Sequence, residues 1–354
     1  MNETPIRIPQ QPERILLIRL GAIGDIVMAS GLVPALRSLW PHAHLTWLAE
    51  EGPHQLLASN PRLDCVHPLP RRKWKRLVRE GHPWQVFGEM MAQSRQLRKE
   101  SFDLVLDLQG LLKSGIWAFA SGARTRIGLG SREGSQWLMT DCFPREMRDP
   151  RMGKEYRALG IALGADPKAF KADIAIPPTA MESAKSLLGL QTDRREIACF
   201  APFTTRPQKH WFDDRWIDLA KSLTPKYRCI LLGGPEERAR SETMVEASQG
   251  ALETLTGQTS LIECAGLIKT ADLVVGVDTG LTHLAMATEK PTIALFGSTR
   301  PYWEADHACA EILYVPEPCS PCHRHPSCGG RFTCMQHHTV DSVMEAIARI
   351  SKTC

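Results

Sequence analysis

The chain has 354 residues, 43% hydrophobic and 23% charged, with a formal net charge of +4; this composition supports two α/β domains and excludes a disordered or fibrous protein. No apolar run approaches the roughly 20 residues of a membrane-spanning helix, and the opening "MNETPIRIPQQPERI" lacks the basic-then-apolar order of a signal peptide, so a cytoplasmic location is expected. The net charge is too small to imply nucleic acid by itself.

In chain order, seven short apolar runs read as buried parallel strands: "RILLIRL" (14–20), "HLTWLAE" (44–50), "DLVLDLQ" (103–109), "IACFAPF" (197–203), "RCILLGG" (228–234), "LVVGVD" (273–278) and "TIALFG" (292–297). Each is followed by Gly, Thr or an acid and then by a helix-like pattern, the alternation of doubly wound sheets.

Behind the first run lies "RLGAIGD". A dinucleotide fingerprint needs three spaced glycines, and only Gly21 and Gly24 stand three apart, with Asp25 next. A carboxylate in the first turn would repel a phosphate, so the loop suits a sugar or hydroxyl, and Asp25 stands open as helix cap, ribose ligand or catalytic base. Glu50 and Glu51, at the end of the second run, keep an NAD(P)-dependent oxidoreductase as an alternative. The run "RRKWKRLVR" (71–79) is basic at six of its nine positions. It reads as a solvated helix face, or as a landing site for a phosphate-bearing partner or an anionic membrane. A nucleic-acid binder is disfavoured, because no aromatic-studded sheet or recognition helix accompanies the charge.

Pro177 and Pro178 mark the boundary between domains 1–178 and 179–354. Beyond it, "APFTTRPQKHW" offers Thr204, Thr205 and Lys209 as a clamp for phosphate oxygens. In "DDRWIDLAKSL", Trp216, Leu219, Ala220 and Leu223 share a helix face. In "LLGGPEERA", Glu237 reads as a ligand for ribose hydroxyls or as a helix-start carboxylate. Ser260 and Glu263 have capping-box spacing. In "VVGVDTGLTHLA", Asp278, Thr279, Gly280 and His283 bracket a helix start whose free N–H groups suit an anion, against the plainer reading of a cap and a packing histidine.

Most of the dispersed cysteines lie in apolar contexts and read as reduced core residues. Cys319, Cys322, Cys328 and Cys334 crowd into "CSPCHRHPSCGGRFTC", which reads as a structural zinc or iron site or as reduced thiols shaping a loop. A last helix is expected to begin at Thr339 or Asp341.

Together and in this order, "GAIGD" with Pro34, "DLVLDLQGLLKS", "TTRPQKHW", "GGPEE" and "VDTGLTHLA" followed by "PTIALFG" resemble the ADP-heptose:lipopolysaccharide heptosyltransferases, glycosyltransferase family nine, from about Arg14 to about Cys334. The resemblance implies a GT-B fold: two Rossmann-like, doubly wound parallel-sheet domains, acceptor bound mainly by the first, sugar nucleotide by the second, with catalysis in the cleft between them. It implies inverting transfer of heptose from ADP-L-glycero-β-D-manno-heptose to the lipopolysaccharide inner core, Kdo or first heptose, with no cofactor required. Asp25 would be the general base. Thr204, Thr205 and Lys209 would hold diphosphate or heptose, and Glu237 the ribose. Asp278 would bind heptose hydroxyls, and Thr279, Gly280 and His283 would face the phosphates. Gly24, Arg71, Arg72, Lys73 and Lys113, with Arg124 and Arg126 as further candidates, would meet the acceptor. The enzyme would rest peripherally on the cytoplasmic face of the inner membrane. "TWLAEEGPHQL" and "PRRKW" resemble the type that adds the first heptose, whereas the cysteines resemble the second type and, in another arrangement, the iron-carrying autotransporter heptosyltransferases, which leaves protein transfer as an alternative.

Overall fold

All seven apolar runs form strands, because runs buried on both faces satisfy their backbone only inside a covered parallel sheet. The computed structural model describes residues 8–145, 149–189, 195–302, 304, 307–322 and 325–353; the first seven residues of the opening segment lie outside this set. The chain divides into two compact units, residues 1–149 with 153–175, and 150–152 with 176–354.

The first unit carries β1 (Arg14–Ile18), β2 (His44–Glu50), β3 (Cys65–Leu69), β4 (Leu104–Asp107), β5 (Thr125–Leu129) and β6 (Asp141–Phe143). They pair in the order β3-β2-β1-β4-β5-β6, every neighbour parallel. Side chains of β1 alternate between the faces: Ile15 and Leu17 join a core under the helices Leu32–Leu39 and Lys154–Ala162. Leu16 and Ile18 join the opposite core with Trp74, Leu77, Val86 and Trp117. Those four come from the helices Arg71–Arg79, Pro83–Lys99 and Leu112–Ala120, which therefore cover one face of the sheet.

The second unit carries β7 (Glu196–Ala201), β8 (Tyr227–Leu231), β9 (Leu252–Thr254), β10 (Leu273–Val277), β11 (Thr292–Phe296) and β12 (Ala310–Tyr314). Their order is β12-β11-β10-β7-β8-β9, again wholly parallel. Counted within its own unit, each sheet has the Rossmann order 3-2-1-4-5-6, so the two Rossmann-like sheets of a GT-B chain are both present. One face of the second sheet is covered by the helices Asp213–Leu223 and Val340–Ile350. Trp216, Leu219, Ala220 and Leu223 are all buried, as the helical spacing predicts. The capping box forms, with Ser260 accepting from the Glu263 N–H, and Thr339 caps the last helix. Cys199, Cys229 and Cys264 are free and buried, as expected of core thiols; Cys309 departs from that expectation and is disulfide-bonded.

The helix Leu261–Thr270 packs on Pro178–Leu188 so closely that a Cβ on Gly266 would lie 2.5 Å from the Ala180 carbonyl oxygen. Gly266→Val is therefore expected to lower stability by about 1–3 kcal/mol through overpacking, read as a lower urea midpoint with unchanged slope; an unchanged midpoint would contradict this packing.

Candidate active site

In a doubly wound sheet, ligands gather outside the carboxyl ends of the strands where the order reverses. In the first unit that point lies between β1 and β4. The loop after β1 leads into the helix Ile23–Ala29, whose first turn holds Asp25 and buries Gly24. One Asp25 oxygen, Oδ2, accepts from the Ala22 N–H at 3.3 Å and pairs with the guanidinium of Arg19, a residue nearly sealed from water. Arg19 also donates to the Leu108 carbonyl at 3.1 Å, and the Gln109 side chain accepts from the Leu20 N–H at 3.1 Å, which ties the β1 and β4 loops together. Beneath them Asp107, fully buried, accepts from Gln109 N–H, Gly110 N–H and Ser114 hydroxyl. Burial pushes its carboxyl up despite these donors. Asp25 thus caps its helix, yet its side chain keeps 35% exposure.

Arg71 and Lys113 converge on Glu50, at 2.5 and 3.9 Å, at the mouth of an apolar cavity of about 200 Å³ lined by Leu20, Leu69, Trp74, Ile116 and Trp117. Burial and the neighbouring Arg71 charge push the Lys113 amine down. The other acceptor candidates are not drawn in: Lys73 pairs with Glu89 at 2.7 Å and Arg72 is exposed. Arg126 covers the Phe119 ring at 5.6 Å, and Arg124 is exposed.

In the second unit the order reverses between β7 and β10, and the loops after them carry the predicted donor residues. Lys209 forms an ion pair with Asp278, and the two side chains are 14% and 11% exposed. Thr299 donates to Asp278 Oδ2 at 2.5 Å and His283 Nε2 lies 3.2 Å from Oδ1, so both oxygens are engaged. His283 Nδ1 in turn lies 2.6 Å from the Tyr302 hydroxyl. Burial alone would raise the Asp278 pKa, but the hydrogen bond and charge of His283 and the charge of Lys209 outweigh it and hold the carboxyl well below the usual range. Thr279 stands at the N-cap of the helix Gly280–Ala287 without closing it by its side chain, so the first N–H groups are left to another partner.

The adjoining "KHW" divides its labour. Trp211 is core, donating its indole N–H to the His338 carbonyl at 2.7 Å and meeting Trp216 edge-on. His210 braces the threonine loop. Arg240, held in a fork by Asp213, can only donate, so His210 Nδ1 accepts from it at 2.7 Å and Nε2–H donates to the Thr204 carbonyl at 2.8 Å. Thr204 is half-buried, Thr205 exposed, and Glu237 sits half-buried at the neighbouring loop after β8. Arg19, Gln109, Thr299 and Arg240 escaped the sequence analysis, and Glu50 was read there only as a dinucleotide-site acid. Arg19 alone left a signal there, as a charge ending an otherwise apolar strand.

For Cys319, Cys322, Cys328 and Cys334, read as a zinc or iron site or as reduced thiols, no group of three or more His, Cys, Asp or Glu side chains among the described residues converges on a metal position. The thiols are neighbours, since burial and then Cys319, Cys322 and Cys328 push Cys334 up to about 11. They line a loop that packs under Gly297, where a Cβ would lie 2.8 Å from the Cys334 sulfur. Residues 323 and 324, inside this segment, lie outside the described set.

A family model described as Glycosyltransferase family 9 (heptosyltransferase) matches residues 90–330. The chain is similar to lipopolysaccharide heptosyltransferase 1 of Escherichia coli (strain K12), 28% identical over 302 residues that span 81% of this chain and 89% of that protein. Among solved structures it resembles the glycosyl transferase family 9 protein of Veillonella parvula DSM 2008, with a TM-score of 0.84 at 19% identity, covering 97% of this chain and 98% of that one. It also resembles the E. coli heptosyltransferase WaaC with ADP-2-deoxy-2-fluoro heptose, with a TM-score of 0.71 at 24% identity, covering 95% of this chain and 99% of that one.

The His210 brace has a measurable pH signature. Burial and then the Arg240 charge hold its imidazole below the ordinary value, so the unfolded chain takes up the proton first and stability falls as pH drops through about 6.5. Urea midpoints between pH 7.5 and 5 are expected to fall less in His210→Gln than in the wild type; equal slopes would remove His210 from this role.

Proposed function

The chain belongs to glycosyltransferase family 9, the heptosyltransferases, and from that premise we propose that it transfers heptose from ADP-L-glycero-β-D-manno-heptose to the lipopolysaccharide inner core, with inversion. The observation that carries this reading is that the switch-point loops of the two units, each taken by itself, hold complementary chemistry. One unit offers a partly exposed carboxylate anchored through one oxygen. The other offers a buried cation beside an open helix N-terminus.

Inversion requires one step. The acceptor hydroxyl oxygen attacks the anomeric carbon as the carbon–oxygen bond to ADP breaks, the electron pair leaves with the β-phosphate, and the hydroxyl proton passes to Asp25. Arg19 and the Ala22 N–H hold Oδ2, which leaves Oδ1 to accept that proton. Positioning of this kind contributes more than basicity when proton transfer is late. The negative charge that develops on ADP meets Lys209 and the N–H groups of Thr279 and Gly280, whose stabilisation grows toward the transition state. ADP then leaves unprotonated and no metal is needed for the step.

Asp278, with both oxygens engaged, serves the donor chiefly by keeping Lys209 aimed. Thr204 and Thr205 supply hydroxyls to the diphosphate or heptose, and Glu237 meets the ribose. In the first unit, Arg71 and Lys113 at the cavity mouth suit a carboxylate-bearing sugar. Together with the similarity to heptosyltransferase 1, this favours Kdo over a first heptose as the acceptor.

A mass-resolved transfer assay tests the reading by pairing ADP-heptose with truncated core acceptors that carry no heptose or one. The expected product is the heptose-free acceptor plus one heptose, formed only with ADP release. Asp25→Asn is expected to lower turnover about 10²–10⁴-fold. Full turnover in that variant would end the general-base assignment, and transfer only to the acceptor that already carries heptose would reverse the choice of acceptor.

A further inference from the structure

Among the residues that the proposed reaction leaves without a role, we infer that Glu50 sets which anion the acceptor site admits, favouring a singly charged carboxylate over a doubly charged phosphate. The inference rests on the proposed seating of the acceptor's carboxylate at Arg71 and Lys113. Glu50 ends β2, the strand beside β1, and lies at the cavity mouth with the first residue of the helix Arg71–Arg79 and with Lys113 of the helix Leu112–Ala120. Its Oε1 meets both cations, Arg71 Nη1 at 2.5 Å and Lys113 Nζ at 3.9 Å. The carboxylate side chain keeps 26% of its surface and each cation 40%. The cations therefore stay open to an incoming anion while Glu50 already engages them.

Charge counting gives the selectivity. Two cations against one carboxylate leave a single positive charge at the mouth. Lys113 feels this surplus: burial and then the Arg71 charge push its amine down, and Glu50 offsets them only in part. Behind the mouth the walls are apolar, formed by Leu20, Leu69, Ile116 and the stacked rings of Trp74 and Trp117, 6.0 Å apart. Apolar walls share no second charge and lower the local dielectric, so an unbalanced anion there is costly. A carboxylate balances the mouth. A phosphate monoester, which carries nearly two charges at neutral pH, leaves one of them unpaired. A neutral side chain at position 50 would double the surplus and shift the preference toward phosphate. Glu50 touches no reacting atom in the proposed step, so its role is specificity and not chemistry.

Titration calorimetry with Kdo and with glucose 6-phosphate tests the proposal without transfer chemistry, in the presence of ADP so that the donor site is filled. The wild type is expected to bind Kdo more tightly than the sugar phosphate. Coulomb energy scales with ligand charge, so Glu50→Gln should tighten glucose 6-phosphate about tenfold and Kdo about threefold. Glu50→Asp keeps the charge and should keep the wild-type order, and both gains in Glu50→Gln should shrink as salt rises. Gln matches Glu in shape, and the Glu50 N–H bond to the Leu20 carbonyl at 2.9 Å is untouched, so the thermal midpoint should change little. Equal gains for the two ligands, or no gain for either, would overturn the proposal and leave the acceptor reading standing. Weaker Kdo binding in Glu50→Gln would overturn it as well, since Glu50 would then serve to aim the cations. A wild type that fails to bind Kdo would overturn the acceptor reading and the proposal with it.

Discussion

An ion pair almost wholly removed from water, Lys209 with Asp278, organises the second unit's candidate site. A carboxylate at the buried end of a parallel strand is costly unless it is paired and its remaining lone pairs are satisfied. Thr299 and His283 satisfy them; Thr299 brings the loop after β11 and Lys209 the loop after β7 to a carboxylate that follows β10. The loops after β7, β10 and β11 therefore meet on one carboxylate. Removing one partner from such a buried pair typically costs about 3–5 kcal/mol, which holds the loops in one arrangement and keeps the cation beside the helix N-terminus at Gly280.

The first unit solves the corresponding problem with different residues. Its switch-point loops are stitched by Arg19, Gln109 and Asp107. The carboxylate left partly at the surface is Asp25, fixed through one oxygen. One fold used twice thus yields two chemistries: a buried anion that positions a cation in one unit, and a buried cation that positions an anion in the other. The missing third glycine of "RLGAIGD" fits this division, since a loop that binds no diphosphate needs no close backbone approach.

Legibility in the sequence followed burial. The central strands are apolar runs that no other element explains, and all seven were readable. The five strands missed sit at or near the sheet margins: Cys65–Leu69 contains His67 and Pro68, Thr125–Leu129 opens on half-buried Thr125 and Arg126, Asp141–Phe143 and Leu252–Thr254 have three residues each, and Ala310–Tyr314 is only half-buried throughout. Periodicity carries little information in such segments. Asp25, Lys209 and Asp278 were legible as polar residues directly after strands. Their partners were not, because Arg19 and Thr299 acquire meaning only when tertiary contacts bring them to Asp25 and Asp278. The cysteine spacing suits a ligand set and free thiols alike, since spacing along the chain does not fix whether four sulfurs converge.

The central claim is that donor binding resides in the second unit and depends on the Lys209–Asp278 pair, while Asp25 acts only on the acceptor proton. Titration calorimetry of ADP against the wild type, Asp25→Asn and Lys209→Met tests it most directly. The account predicts ADP affinity unchanged in Asp25→Asn and weakened at least about tenfold in Lys209→Met, as loss of a charge-assisted contact to phosphate implies. Unchanged affinity in Lys209→Met, or a comparable loss in Asp25→Asn, would contradict it.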